Sequence, residues 1–231
     1  AAIRAGAALK DPIAAESLRK MATNGPLAEQ LEAAHLLAEL PSDPRTEEVL
    51  RSMLDNRNVE VRLRAYEALE QLGSPFVRRD RIQGKFELHQ VPSAWPAIYV
   101  TQARFPRLVL LGNTIEIKRP LTLGLWENSL MMRGIEKNEE IEIFHRNDPS
   151  DQAIINRIDP DLRDVILLLA HEPTIEDPNP GLDLTYSQVV GVLHALWKEQ
   201  YVDADFKAQQ DRVLAELRRG AIGTERQARP E

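Results

Sequence analysis

The sequence predicts an α+β protein: a short stack of helical repeats, then a small antiparallel β sandwich or barrel, then C-terminal helices. Three observations predict this fold class. Residues 1–74 carry an internal repeat at helical spacing, residues 82–147 alternate with a period of two, and residues 148–219 return to helical spacing. The polar tail 220–231 is predicted to be disordered.

The repeat becomes visible when the sequence is shifted by 32 residues. Twelve of the 32 positions in 11–42 are then identical to those in 43–74. Asp11-Pro12 and Asp43-Pro44 each predict a helix start, with the aspartate as N-cap and the proline at the first helical position. Apolar residues three and four positions apart follow, so each unit is predicted to be a pair of helices.

The second unit, Asp43 to Gly73, resembles a HEAT repeat through the run Val61-Arg62-x-x-Ala65-x-x-Ala68-Leu69-x-x-Leu72-Gly73. HEAT repeats are scaffolds that bind proteins along stacked helices. The resemblance therefore implies a protein-binding role, and repeat geometry makes three arginines of this unit solvent-facing partner contacts: Arg57, Arg62 and Arg64. A stack needs neighbours on both sides. Because the chain opens in helical register, we expect further repeats or another domain before Ala1.

The β-rich middle begins at about Arg81, where the period of the apolar residues changes from 3.6 to two. Six or seven short apolar segments follow at spacings of about 8–12 residues, separated by Pro, Gly and Asn, which is typical of short antiparallel strands. A sandwich and a barrel both fit this pattern. Trp95 lies between Pro92 and Pro96, in a turn-rich stretch where an exposed aromatic side chain can anchor a partner.

Three helices are predicted in the C-terminal part, and we expect them to pack on the β-rich domain. The first begins at Asp159-Pro160 and runs to about His171, the second is capped near Thr185, and the third spans about Asp203 to Arg218. The stretch 172–181 contains three prolines and is predicted to be a loop.

Composition excludes several functions. The chain has 36 acidic and 29 basic residues, a net charge of −7 and no cysteine. The acidic balance argues against bulk electrostatic binding to nucleic acid or to an anionic membrane. Without cysteine there is no disulfide, thiol nucleophile or Cys-ligated metal. No segment approaches the ~18 consecutive apolar residues of a membrane span, so we expect no membrane insertion.

Catalytic motifs are also missing from the sequence. It contains no glycine-rich phosphate loop, no Gly-x-Ser-x-Gly elbow and no His-Glu-x-x-His helix. The five histidines are scattered, without the spacing of metal ligands. We therefore predict no catalytic residue, no cofactor and no metal site.

Five further runs belong together: PAIYVTQ (96–102), FPRLVLLG (105–112), RPL (119–121), DPNPGL (177–182) and LTYSQVV (184–190). They resemble the C-terminal extension of flagellar basal-body P-ring-type proteins of planctomycete bacteria. The resemblance implies an accessory structural role around the flagellar rod, in the periplasm, and carries over no catalytic residue. Without it, the cytoplasm is the expected compartment.

Our leading hypothesis is a non-catalytic protein-interaction or structural module of a larger protein. Its partners would be other proteins or other domains of the same longer chain, and the sequence does not predict an oligomeric state. A regulatory or substrate-binding lobe of a hydrolytic enzyme stays open, because domain junctions favour pockets. A pocket holding a carboxylate–histidine pair would favour that alternative. A nucleic-acid binder is the least favoured class, given the acidic charge.

Overall fold

A computed structural model of the chain describes residues 11–102, 105–136, 138–146 and 153–212. Within these ranges, four helices come first, followed by eight strands, two helices and a last strand, and residues 209–212 are helical again. The helices are α1 (Pro12–Asn24), α2 (Leu27–Ala38), α3 (Pro44–Met53), α4 (Val59–Gln71), α5 (Leu162–Ala170) and α6 (Tyr186–Lys198). The strands are β1 (Arg78–Ile82), β2 (Phe86–Val91), β3 (Ala97–Thr101), β4 (Arg107–Leu111), β5 (Leu121–Leu125), β6 (Leu130–Gly134), β7 (Ile141–His145), β8 (Ile154–Ile158) and β9 (Asp205–Ala208).

Side-chain caps fix the helix starts, and most lie where the sequence predicts them. Asp11 accepts a hydrogen bond from the Ile13 amide at the start of α1, and Asp43 does the same at α3. Thr185 caps α6 in a reciprocal capping box with Gln188. Helix α5 begins later than predicted, because its N-cap is Asp161.

The strands form two sheets. The five-stranded sheet has the order β1-β2-β4-β3-β9, and the four-stranded sheet has the order β5-β6-β7-β8. The second is a meander with antiparallel pairing throughout. Its inward rows contain buried residues such as Leu123, Met132 and Ile143, so its opposite face carries the exposed side chains.

The chain divides into two compact units. The first takes in the chain up to Arg79, together with His89–Ala97 and Leu111–Asn113. The second consists of Asp80–Leu88, Ile98–Leu110 and the chain from Thr114 onward.

A buried polar pair ties strand residues into the helical core of the first unit. The hydroxyl of Tyr66, on α4, lies 2.8 Å from Nδ1 of His89, on β2. Tyr66 is 1% exposed and His89 is fully buried. This bond pairs the Tyr66 hydroxyl with one imidazole nitrogen, and buried polar groups need such partners.

The predicted fold class is therefore wrong, although the chain is α+β overall. Strand residues belong to the same compact unit as α1–α4, and His89 of β2 bonds to Tyr66 of α4, so the described helices do not form a HEAT-like stack of their own. The strands of 82–147 do not form a self-contained sandwich or barrel, because they are divided between two sheets that each include a strand from outside this range. Strand β1 begins before that range and β8 lies after it. Strand β9 occupies the start of the predicted last helix, of which residues 209–212 are helical and 213–218 lie outside the described residues. The predicted tail 220–231 lies outside the described residues.

One hydrophobic core serves the second unit, with members from both sheets and from α5 and α6. Tyr186, at the start of α6, packs on Phe86 of β2 with ring centroids 5.4 Å apart. Its hydroxyl lies 2.8 Å from the carbonyl oxygen of Thr101 and 3.0 Å from that of Arg107. Burial raises the pKa of Tyr186 to about 12.

The loop between α5 and α6 folds back over the end of α5. The amides of Leu182 and Leu184 donate to carbonyls of the last turn of α5, those of Leu168 and Leu169, which would otherwise lack a partner. Gly181 makes this return possible, because a Cβ atom there would lie 2.1 Å from the carbonyl oxygen of His171. None of the described helices has the length and apolar character needed to cross a membrane.

Candidate functional site

Two neighbouring loops of the first unit form the candidate site. Residues 54–58 connect α3 to α4, and residues 92–96 connect β2 to β3. We call them the loop pair. Pro92 and Pro96 bound the second loop and lack the amide hydrogen that strand pairing needs, which explains why the strands stop there.

The first loop is shaped by asparagine side chains. The side-chain oxygen of Asn56 accepts from the Asn58 amide at 2.8 Å, and that of Asn58 accepts from the Glu60 amide at 2.9 Å. The first bond is an Asx turn and the second is the N-cap of α4. These two bonds therefore define the conformation of the first loop independently of its contacts with the second loop.

Two hydrogen bonds join the loops to each other. The Ser93 hydroxyl donates to the carbonyl oxygen of Leu54 at 2.7 Å, and the Ala94 amide donates to the Asp55 carboxylate, also at 2.7 Å. Ser93 is only 8% exposed. A buried bond of this length holds the loops in one arrangement, and Trp95 follows directly after these two residues.

Trp95 and Arg57 meet on the exposed side of the loop pair. The Arg57 guanidinium carbon lies 5.7 Å from the centroid of the Trp95 ring, within the range of a cation–π contact. Trp95 is 44% exposed and Arg57 is exposed. The contact limits the rotamers of both side chains, so a partner would meet a partly ordered pair.

Arg62 supports the loop pair from within, and the expectation that it faces solvent is wrong. It is fully buried, and its Nη1 donates to the carbonyl oxygens of Asn56 at 2.8 Å and Arg57 at 3.0 Å. The guanidinium thus fixes the backbone that presents the Arg57 side chain.

Arg64 does not belong to the site formed by the loop pair. It lies on α4, where its guanidinium forms an ion pair with Glu67 at 3.4 Å, and about a quarter of its side chain is exposed. The four residues predicted to bind a partner therefore separate into an exposed pair, Arg57 and Trp95, a buried support, Arg62, and a helix-surface arginine.

Sequence reasoning missed Ser93 and Asp55, which position Trp95. Each is next to a residue that is typical of turns: Ser93 follows Pro92, and Asp55 precedes Asn56. Serine and aspartate side chains in turns often form hydrogen bonds with the backbone, so this pattern could have identified them. Nothing in the sequence showed that the two loops, about 40 residues apart along the chain, bond each other.

A cavity in the second unit bears on the enzyme alternative. It measures about 450 Å³ and is lined by His171, Asp177 and Asp164 among others. The His171 Nε2 atom is 3.9 Å from Asp177 Oδ2, too far for a hydrogen bond. The other carboxylate oxygen of Asp177 already accepts from Asn179 at 2.7 Å.

The described residues lining this cavity include no serine, threonine, cysteine or lysine that His171 could activate. Over the described part of the chain, no three His, Asp or Glu side chains are grouped as a metal site. The described lining therefore brings a histidine and two carboxylates to one cavity, with no hydrogen bond between His171 and Asp177.

Comparison with known proteins gives no relative. No protein-family model matches the sequence, no curated protein matches it, and no solved structure matches the fold.

Proposed function

We propose that this chain is a non-catalytic protein-interaction module, and that the loop pair is its binding site. The observation that carries the proposal is the exposed Trp95 side chain held against Arg57 on a backbone fixed by buried hydrogen bonds. Tryptophan and arginine are the residues most often found at the energetic centre of protein interfaces.

The rigid support of the loop pair favours a binding role. Fixing a side chain on association costs about 0.5–1.5 kcal/mol. Here Ser93, Asp55 and Arg62 already fix the backbone, and the cation–π contact restricts the Trp95 ring. Part of that cost is therefore met when the protein folds.

The chemistry of the pair indicates what a partner must offer. The indole ring needs an apolar depression, and its Nε1 needs a hydrogen-bond acceptor if it becomes buried. Arg57 needs a carboxylate or a carbonyl group. We infer that the partner is a protein surface with an apolar depression next to an acidic group.

Affinity capture with matched tryptophan variants tests this proposal. Wild type, Trp95→Ala and Trp126→Ala would each serve as bait on cell extracts, followed by mass spectrometry. Trp126 is 42% exposed, nearly the same as Trp95, but lies in the second unit, so it is the matched control. We expect proteins that the wild type and the Trp126 variant retain and that the Trp95 variant loses.

The dissociation constants of each such protein for the wild type and the variants then give the size of the effect on binding. Truncating an interface centre costs about 2 kcal/mol or more, so Trp95→Ala should weaken binding about 30-fold or more. Arg57→Ala should weaken it by a smaller factor. Equal affinity of the Trp95 and Trp126 variants for every captured protein would refute the binding role of the loop pair.

A larger setting is proposed from sequence resemblance alone. The runs at 96–102, 105–112, 119–121, 177–182 and 184–190 support an accessory role in a flagellar basal-body P-ring-type protein, and hence a periplasmic location. Recovery of basal-body proteins in the capture experiment would support this setting. Partners drawn only from cytosolic extract would contradict it, while leaving the role of the loop pair intact.

A further inference from the structure

A row of apolar side chains crosses the solvent-facing side of the four-stranded sheet. The register places Met131 of β6 opposite Phe144 of β7, and Phe144 opposite Ile155 of β8. Neighbouring strands are about 4.8 Å apart, so the three side chains span roughly 10 Å. We call this set the apolar row.

The apolar row is accessible and concave. Met131 is 37% exposed, Ile155 is 55% exposed, and Phe144 is partly buried. A cavity of about 300 Å³ lies over Met131 and Phe144. Contiguous exposed apolar surface with a polar rim often marks an interaction site.

Two arginines border the apolar row on opposite sides. Arg133 lies two residues beyond Met131 on β6, and Arg146 lies two residues beyond Phe144. Because β6 and β7 are antiparallel, these steps lead in opposite directions. Both arginines line the same cavity as Met131 and Phe144.

Among the described residues that line this cavity, two are arginines and none is acidic. Neither the Arg133 nor the Arg146 guanidinium forms an ion pair or a side-chain hydrogen bond with the described residues. The nearby carboxylate of Glu142 is occupied by Arg157, at 3.2 Å. Burial lowers the pKa of His145, which lines the cavity too, and so favours its neutral form. The positive charge of the two arginines is therefore opposite in sign to the chain's net charge of −7.

From this arrangement we propose a second docking surface, separate from the loop pair, whose occupant is an extended acidic segment of a partner protein. In the pairing of β6 with β7, Arg133 and Arg146 are offset by four positions along the strand direction. This offset corresponds to roughly 14 Å. In an extended peptide, residues i, i+2 and i+4 face the same side, and i and i+4 are separated by about the same distance.

The matching pattern is therefore acidic–x–apolar–x–acidic. The central apolar side chain enters the cavity over Met131 and Phe144, and the two carboxylates reach the arginines. Arg133 and Arg146 are the residues that select the sign of the charge, and the apolar row provides the contact area.

Fluorescence anisotropy with labelled peptides tests the pattern. The probe is SSETFTESS, and the matched controls are SSKTFTKSS, which reverses its charges, and SSETSTESS, which removes its apolar centre. We expect the acidic probe to bind at least about tenfold more tightly than either control, and added salt to weaken it.

Protein variants then assign the binding to this face. The double variant Arg133→Glu/Arg146→Glu should reverse the preference in favour of SSKTFTKSS. Lys20→Glu changes one charge at a position whose side chain is 73% exposed in the first unit, and it should leave the preference unchanged. Trp95→Ala should also leave it unchanged, so failure here and failure of the loop pair can be told apart.

Three outcomes would overturn the proposal. They are equal binding of the acidic and basic peptides, an unaltered preference in the double arginine variant, and no binding of the acidic probe. Vesicles of phosphatidylglycerol serve as a further arm. If the arginines control vesicle binding while the peptides do not bind, the surface recognises an anionic membrane, and the proposed protein segment is wrong.

Discussion

Replacing Arg62 with methionine should destabilise the first unit, although the side chain is charged and lies next to an exposed loop. Arg62 is fully buried and donates to the carbonyl oxygens of Asn56 and Arg57. Hydrogen bonds that involve a charged group contribute about 1.5–3 kcal/mol each. Methionine also removes a buried charge, and this offsets part of the free energy lost with the two bonds. The net loss in the free energy of unfolding is about 2–4 kcal/mol.

Amide hydrogen exchange is the appropriate assay, because it reports on α4 separately from the second unit. A loss of about 3 kcal/mol corresponds to roughly 100-fold faster exchange of the protected α4 amides. Arg64→Met is the matched control, since Arg64 is on the same helix, is partly exposed and pairs with Glu67 at 3.4 Å. Such a pair is worth less than about 1 kcal/mol. If both variants exchange at the same rate, Arg62 does not support the loop pair as described.

Two further predictions concern the second unit. Gly181→Ala should lower stability more than Gly84→Ala, because a Cβ at 181 meets the His171 carbonyl oxygen at 2.1 Å, whereas Gly84 has open space and only a positive φ of 75°. Thermal unfolding of the two variants would rank their losses of stability. Equal losses would contradict the close approach at Gly181. Tyr186→Phe removes a buried hydroxyl whose pKa is raised to about 12. Because the folded protein favours the neutral phenol, its contribution is full below about pH 10, the ordinary tyrosine pKa, and is lost as pH rises through about 12. Wild type should therefore lose more stability than the variant over that interval, and parallel stability curves would refute the assignment.

Local rules predicted the helix starts well. Asp11, Asp43 and Thr185 cap helices through bonds that their own short side chains make within two or three residues. Such signals depend on a few neighbouring residues, so sequence alone is sufficient to identify them.

The burial of Arg62 contradicted a prediction that the sequence could have corrected. Arg62 lies three, four and seven residues before Ala65, Tyr66 and Leu69, all of which are buried. The helical period therefore placed it on the core face. Its charge suggested a solvent-exposed position, but the carbonyl oxygens of Asn56 and Arg57 accept hydrogen bonds from the guanidinium inside the protein. Those acceptors belong to tertiary structure and could not be identified from the pattern.

The meeting of Trp95 and Arg57 was beyond sequence reasoning for a similar reason. Each residue was singled out separately, Trp95 from its flanking prolines and Arg57 from repeat geometry that the structure does not have. Their contact depends on the cross-loop bonds of Ser93 and Asp55. The prediction of a helix over β9 failed because a four-residue edge strand is determined by its neighbour β3, which is distant in sequence.

The position of β9 beside β3 has a consequence for synthesis on the ribosome. Strand β3 ends at Thr101 and is buried along its whole length, yet its neighbour on one side begins only at Asp205. At translation rates of about 5–20 residues per second, the edge of β3 waits roughly 5–20 s for the strand that covers it. During that interval the nascent chain exposes an apolar edge strand, which is a binding site for chaperones and a point at which two nascent chains can pair.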